Sequence, residues 1–303
     1  MLTSGEKSVN KTASPGKVKA VGILQENSGN SIDLEHALQV GLKACRLGRE
    51  VLLKYIGKLH HISEKFEAGL VSEADKESEK VISDYLRKNF PSIDFLGEES
   101  NYLGAKVPWT SAGPEGRWIL DPLDGTTNYI HQFPIFCISL ALEINGEIQV
   151  AVIDCPKMEE TYTAIRGKGA FMNGQPLKVG QAQHLKDSLL ATGFVAEKQD
   201  VIEEQLKIFS DIVYKCRGVR RPGAAAYDLA MVARGVFDGF WERNLQPWDS
   251  AAGILLIEEA GGKVATYQGK KYTPYKNSII AGNPLVVDEL IKTLAPYLSK
   301  ETD

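Results

Sequence analysis

The segment WILDPLDGTTNYIHQFP (118–134) runs three apolar residues into Asp121, then breaks into Pro122, Leu123, Asp124, Gly125, Thr126 and Thr127. The apolar run predicts a buried strand that ends at Asp121. Pro122 removes a backbone donor and stiffens the turn, and Gly125 permits a tight one. Thr126, Thr127 and Asn128 suit the start of a helix or helical turn, whose free backbone N–H groups attract a phosphate. Two carboxylates beside such a turn repel an anion unless a cation stands between them. Mg2+ suits that place, because it takes oxygen ligands, commonly one or two carboxylates with phosphate oxygens and water. A pair of such ions can activate water, polarise a phosphoryl group and neutralise the leaving oxygen. Taken alone, the same residues also read as a capped turn with surface aspartates.

Two other acidic sites bear on that choice. Gly97-Glu98-Glu99-Ser100 places acids directly after an apolar strand, and Trp248-Asp249 places one directly before the apolar helix 251–257. Either alone is a strand terminus or an N-cap. Three acid sites, each at an end of a strand or helix, read together as one convergent site.

Around these sites the periodicity sets out the rest of the chain. Residues 1–30 are rich in Ser, Gly, Lys and Asn and read as a loose tail, with a short strand at VKAVGIL (18–24). Ser31 or Asp33 caps a helix that runs from 34 to about 59, and a second helix covers about 75–89 until Pro91 stops it. Strands follow at 94–100, 117–120, 136–144, 147–155 and within 160–179, with Asn145-Gly146 marking a hairpin. From 188 onward strands alternate with helices: strands at 188–194, 237–242, 263–268 and 278–283, and helices at about 200–214, within 218–235, at 250–262 and at 284–298. The fold class expected is α/β, with an α+β N-terminal half over 31–184 and an α/β C-terminal half over 185–303. Leu229, Met231, Val232 and Val236 read as core, and the pairs Glu203-Glu204 and Glu258-Glu259 as solvated helix faces.

The bulk numbers exclude several classes. The chain has 303 residues, 43% of them hydrophobic, enough for a large core. A formal net charge of −4 without a dense Lys/Arg run argues against a nucleic-acid partner. Cys45, Cys137, Cys155 and Cys216 are scattered without a Cys-x-x-Cys pair, so neither a zinc site nor a disulfide framework is expected. They read as reduced thiols in a cytoplasmic setting. No stretch approaches the roughly 20 apolar residues of a membrane span, and the N-terminus lacks the apolar core of a secretory signal.

GEES (97–100), WILDPLDGTTNY (118–129) and PWDSAAG (247–253), in that order, resemble the signature segments of the inositol monophosphatase family. The similarity covers about 33–295 and includes GAAAYDLAMVARGVFDGFWE (223–242). The resemblance implies a layered α-β-α-β-α sandwich, a homodimer, and a lithium-sensitive phosphatase using two or three Mg2+ ions. Glu98, Asp121 and the Leu123 carbonyl would bind the metal that carries the attacking water; Asp121, Asp124 and Asp249 would bind another near the leaving oxygen. Thr126 would position the water, with Asp75 from VSEADKESEK (71–80) as its acidic partner. Gly125, Thr126 and Thr127 would meet the phosphate, with Ala225, Glu242 and Asp249 on the substrate side. By its residues alone Asp75 also reads as a helix cap, Glu242 as a surface partner of Arg243 or Arg220, and His131 as a loop or core histidine. Ala224, where relatives also carry a hydroxyl, leaves 223–226 only backbone groups to offer a substrate.

The substrate implied is a small phosphorylated polyol or sugar, with myo-inositol 1-phosphate first. Fructose-1,6-bisphosphatase, histidinol-phosphatase and bisphosphate nucleotidase chemistry are the rivals that share the metal site. A rival of another class is a non-catalytic scaffold that keeps the fold.

Overall fold

Asp33 starts the first helix, α1 (Leu34–Tyr55): its Oδ1 accepts from the N–H groups of Glu35 and His36 at 3.0 and 3.3 Å. The helix buries Ala37, Val40, Ala44, Val51 and Leu52 along one stripe, as the 3.6-residue period requires. It stops at Tyr55, short of the expected end near 59, and Gly57 at φ 72° turns the chain away. The computed structural model describes residues 32–65, 69–102, 110–194 and 199–300. Ser31, the tail and the strand expected at 18–24 lie outside the described residues.

Next come β1 (Ile62–Lys65), β2 (Gly69–Ser72), α2 (Glu73–Asn89), β3 (Asp94–Gly97), α3 (Glu98–Tyr102), β4 (Arg117–Asp124) and α4 (Thr126–Ile130). The meander β5 (Cys137–Ile144), β6 (Glu147–Cys155), β7 (Glu160–Ile165), β8 (Ala170–Met172) and β9 (Gln175–Pro176) follows. Then come β10 (Leu189–Thr192), α5 (Gln199–Val213), β11 (Gly218–Arg220), α6 (Ala225–Ala233) and β12 (Gly239–Arg243). The chain closes with α7 (Pro247–Glu259), β13 (Lys263–Ala265), β14 (Ser278–Gly282) and α8 (Pro284–Leu294).

Among the described residues, β3 to β9 form a seven-stranded sheet in sequence order, parallel only between β3 and β4. Asn145 and Gly146 join β5 to β6 with φ of 53° and 74°, the positive pair a tight hairpin needs. A five-stranded sheet has the order β11-β10-β12-β14-β13, parallel on the β11-β10-β12 side and antiparallel on the other. Helices α1 and α2 cover one face of the larger sheet, α6 and α7 fill the space between the sheets, and α8 with α5 covers the outer face of the smaller one. These layers are the expected α-β-α-β-α sandwich, within one compact unit spanning Asp33–Asp303.

The middle helix explains its own composition. Between two sheets α7 has no wet side, so Trp248, Ile254, Leu255, Leu256 and Ile257 are all buried around its circumference. It begins at Pro247, three residues before the expected start at 250, because proline suits the first helical position and Gln246 caps it.

Other expectations change. Strand β4 does not end at Asp121 but continues to Asp124, with its register against β5 shifting between those two residues. Val236 is 44% exposed, outside the core that holds Leu229, Met231 and Val232, because it lies past the end of α6. The glutamate pairs are not simply solvated. Glu204 accepts from Arg243 at 2.7 Å, Glu258 from Arg166 at 3.0 Å, and Glu259 from the N–H groups of Gly167 and Gly169 at 2.8 and 2.7 Å. Among the described residues no helix is long and apolar enough to cross a membrane.

Candidate active site

The shift in β4 gives the site its form. Asp121 pairs with Ser139 of β5 and Asp124 with Cys137, so the one extra residue between them gathers both acids at the end of the strand. Asp121 Oδ1 accepts the Leu123 N–H at 3.0 Å, and Ser78 on α2 donates to the Pro122 carbonyl at 3.0 Å. Gly125 adopts φ 88°, and a Cβ there would come within 3.0 Å of the Ile135 carbonyl, so no other residue fits without shifting the chain.

Asp124 reaches across to α6. It accepts from the N–H groups of Ala225 at 3.2 Å, Ala226 at 2.8 Å and Tyr227 at 3.4 Å. Ala224 has no side chain to cap α6, and Asp124 does it from 101 residues away. The N–H groups of 225–227 are therefore turned to Asp124. Asn128, expected only as part of a helix start, braces this arrangement: its Nδ2 donates to the Ile135 and Pro222 carbonyls at 2.7 and 2.9 Å.

Asp75 and Thr126 meet. Asp75 is fully buried at the third position of α2, and its Oδ2 accepts from the N–H and Oγ of Ser72 at 2.9 and 2.6 Å. Its Oδ1 accepts from Thr126 Oγ1 at 3.0 Å. Asp75 thus caps α2 through one oxygen and meets Thr126 through the other. Thr126 Oγ1 also lies 3.1 Å from the Leu123 carbonyl, but a hydroxyl has one proton and serves one acceptor at a time.

Glu98 opens α3, and what positions it is Glu79, which the sequence does not single out. Glu79 accepts from the N–H groups of Glu99 and Ser100 at 2.8 Å each. Gly97 makes room for it, since a Cβ there would lie 2.5 Å from Glu79 Oε2. The available signal was spacing: Glu79 is four residues after Asp75 and so shares its helix face. On α7, Asp249 Oδ2 accepts the Gln246 N–H at 2.7 Å, and Ser139 fixes that helix start by donating to the Trp248 carbonyl at 3.0 Å.

The electrostatics place these acids together. Burial, then Glu98, Asp124 and Asp249, holds Asp121 well above the usual carboxylate range. Asp249 is likewise raised, by burial and then Asp124. Asp124 is pushed up to about 6 by burial, with the α6 amides and the Cys137 thiol pulling it back. Such a group of carboxylates, with the Leu123 carbonyl, is an all-oxygen donor set that fits a hard divalent cation. Among the described residues no three acids, histidines or cysteines are grouped so as to hold an ion by themselves. An ion here would complete its shell with water and substrate oxygens, as Mg2+ does.

Glu242 is buried on β12 and does not pair at the surface; Arg243 turns to Glu204 and Arg220 to its neighbour's carbonyl. Its carboxylate lies against Gly193, where a Cβ would come within 2.2 Å of Oε1. Burial pushes it up to about 8, with exposed Arg221 opposing and Asp124 adding to the shift. Asp228, buried beside it with Oδ1 unpartnered, is raised by burial first and Glu242 next. His131 is the exposed cap at the end of α4, a loop histidine.

The pattern of the Inositol monophosphatase family matches residues 33–300. Nus factor SuhB of Pseudomonas aeruginosa is 38% identical over 269 residues, covering 88% of this chain and 98% of that protein. The solved inositol monophosphatase from Anabaena (Nostoc) sp. PCC 7120 is 39% identical, with a TM-score of 0.75 over 88% of this chain and 97% of its own. An IMPase/NADP phosphatase solved with Mg2+ and phosphate is 25% identical, with a TM-score of 0.73 over 88% and 97%. With the family pattern spanning nearly all of the described residues, and relatives of this identity covered almost end to end, the chain belongs to the inositol monophosphatase family of phosphatases.

Proposed function

We propose that this protein is a Mg2+-dependent phosphomonoesterase acting on a small polyol or sugar phosphate, myo-inositol 1-phosphate first among them. The observation that carries the reading is the Thr126–Asp75 hydrogen bond, held at the turn that bears Asp121 and Asp124. Glu98, Asp121, the Leu123 carbonyl, Asp124 and Asp249 are the residues that would hold the metal. When bound, Mg2+ supplies charge neutralisation and lowers the pKa of its water. With its proton given to Asp75, Thr126 keeps lone pairs on Oγ1 to accept from the attacking water, and Asp75 is the base behind it. The first amides of α4 lack acceptors within the helix and face the phosphate together with the Thr127 hydroxyl. Glu242 and Ala225 border the substrate's hydroxyls. The likeness to a protein named Nus factor favours a second reading, a binding role beside turnover. A homodimer is expected, which sedimentation would test.

The decisive assay is phosphate release from myo-inositol 1-phosphate, fructose 1,6-bisphosphate, histidinol phosphate, adenosine 3′,5′-bisphosphate and NADP, with Mg2+ and with chelator. Mg2+-dependent release is expected, strongest on the inositol phosphate; release indifferent to chelator, or absent on the whole panel, overturns the reading. Preference for another member keeps the chemistry and replaces the substrate.

Two pH-dependent outcomes follow from the buried acids. Metal binding needs ionised carboxylates, and burial pushes Asp124 up to about 6 and holds Asp121 and Asp249 well above the usual carboxylate range. Mg2+ is therefore expected to raise Tm more at pH 8 than at pH 5.5, and equal shifts would contradict the ligand assignment. For Glu242 the folded value of about 8 stands above the ordinary 4.5. Its contribution to stability is intact below 4.5 and is lost as pH rises through 8, a penalty of about 3 kcal/mol at pH 7. Glu242→Gln is expected to raise the urea midpoint at pH 7 to 8, leave it unchanged at pH 4, and raise KM. An unchanged midpoint at all three would show the acid is not held protonated.

A further inference from the structure

Two of the four cysteines stand opposite one another beside the site. The β5–β6 ladder pairs Ile138 with Asp154, so one step further Cys137 faces Cys155. Directly opposed residues of an antiparallel ladder point to the same face, with Cα atoms about 4.5 to 5.5 Å apart, within the span of a disulfide. Both are free thiols, fully buried, and their side chains are within hydrogen-bonding reach of each other. They belong to the core on the α6 and α7 side of the large sheet, whereas Cys45 lies on α1 and packs near Asp154. The partly exposed Cys216 follows α5, far along the chain from both. Cys137 Sγ also donates to Asp124 Oδ2 at 3.5 Å. A change at this sulfur is thus felt by the carboxylate that caps α6.

We propose that Cys137 and Cys155 are an oxidation site, closed to a reversible disulfide by hydrogen peroxide entering along Asp124, and that the bond weakens metal binding at Asp124. One thiol is oxidised to a sulfenic acid as the O–O bond breaks and water leaves; the second thiol then displaces a second water to form the S–S bond. Two electrons pass to the peroxide and two thiol protons end in water. The S–H that served Asp124 is gone, and the sulfur is drawn toward β6. Loss of a group that supports a metal ligand costs about 10- to 100-fold in affinity or activity. Burial makes the step slow beside the oxidation of Cys216.

The test treats the full-length protein with hydrogen peroxide in EDTA, maps peptides without reduction, then measures the Mg2+ midpoint by thermal shift and by phosphate release. The expected result is a peptide linked through Cys137 and Cys155, a Mg2+ midpoint raised about 10-fold, recovery with dithiothreitol, and no change of midpoint in Cys155→Ala. Where that variant does not fold, the wild-type recovery with reductant carries the same comparison. Finding both thiols intact after Cys216 is fully oxidised overturns the proposal, as does a linked peptide with an unchanged midpoint. The proposal rests on Asp124 as a metal ligand. Reduced protein with no Mg2+ response in either readout overturns that assignment and the coupling with it, while the peptide map separately decides whether the bond forms.

Discussion

Asp121→Asn is expected to cut Mg2+-dependent phosphate release by about 1000-fold, while unfolding at a higher temperature than wild type in EDTA. The first effect follows from the metal's share of transition-state charge stabilisation, several kcal/mol, at tenfold in rate for each 1.4 kcal/mol. The second follows from burial: Asp121 is 3% exposed, raised well above its ordinary value, and repelled by Glu98, Asp124 and Asp249. Asparagine keeps an oxygen for the Leu123 N–H and removes the charge. The two signs together separate loss of a ligand from loss of the fold. Enzyme activity and calorimetry on the same preparation check both, and a variant less stable than wild type in EDTA would show that Asp121 serves the fold. The variant also divides turnover from any binding role, since it spares the surface.

Asp75→Asn is expected to lower kcat by about 100- to 10,000-fold, the range for a positioned acid or base, with KM little changed. An asparagine whose oxygen stays on Ser72 keeps the cap but turns its amide toward Thr126 Oγ1. The hydroxyl then accepts a hydrogen bond where it had donated one. Thr126→Ala should lose a similar factor, and the double variant little more than either single one, because the pair acts as one unit. Losses that multiply would refute a shared role. A purely structural Asp75 would cost only about 1 kcal/mol of stability, typical of a cap, and leave kcat intact.

How far the sequence reached is clearest at individual elements. Helices α1 and α2 were legible because their apolar residues repeat at 3.6, and the β5–β6 hairpin because Asn145-Gly146 admits the positive φ it needs. The end of β4 is not legible: Asp121 looks like a strand terminus, yet the ladder resumes at Asp124 after a register shift against β5. The start of α7 is ambiguous in the sequence because Asp249 resembles an N-cap, while Pro247 at the first position moves the cap back to Gln246.

At the site the division is similar. Local chemistry picked out Asp121, Asp124 and Gly125, which lie within one turn and act through short-range geometry. The meeting of Asp75 with Thr126 spans 51 residues and that of Asp124 with the amides of α6 about 101, so neither leaves a local trace. Glu79 and Asn128 hide for the same reason, since each is an ordinary helical polar residue until a distant backbone arrives. What the sequence determined by itself is which segments become helix, strand or turn, and that acids end them, because those properties depend on neighbours a few residues away. Which acids face one another, which are buried to the point of holding protons, and which cysteines oppose each other beside Asp124 were decided only when the two sheets closed on α6 and α7, because burial and charge repulsion are properties of distances in space.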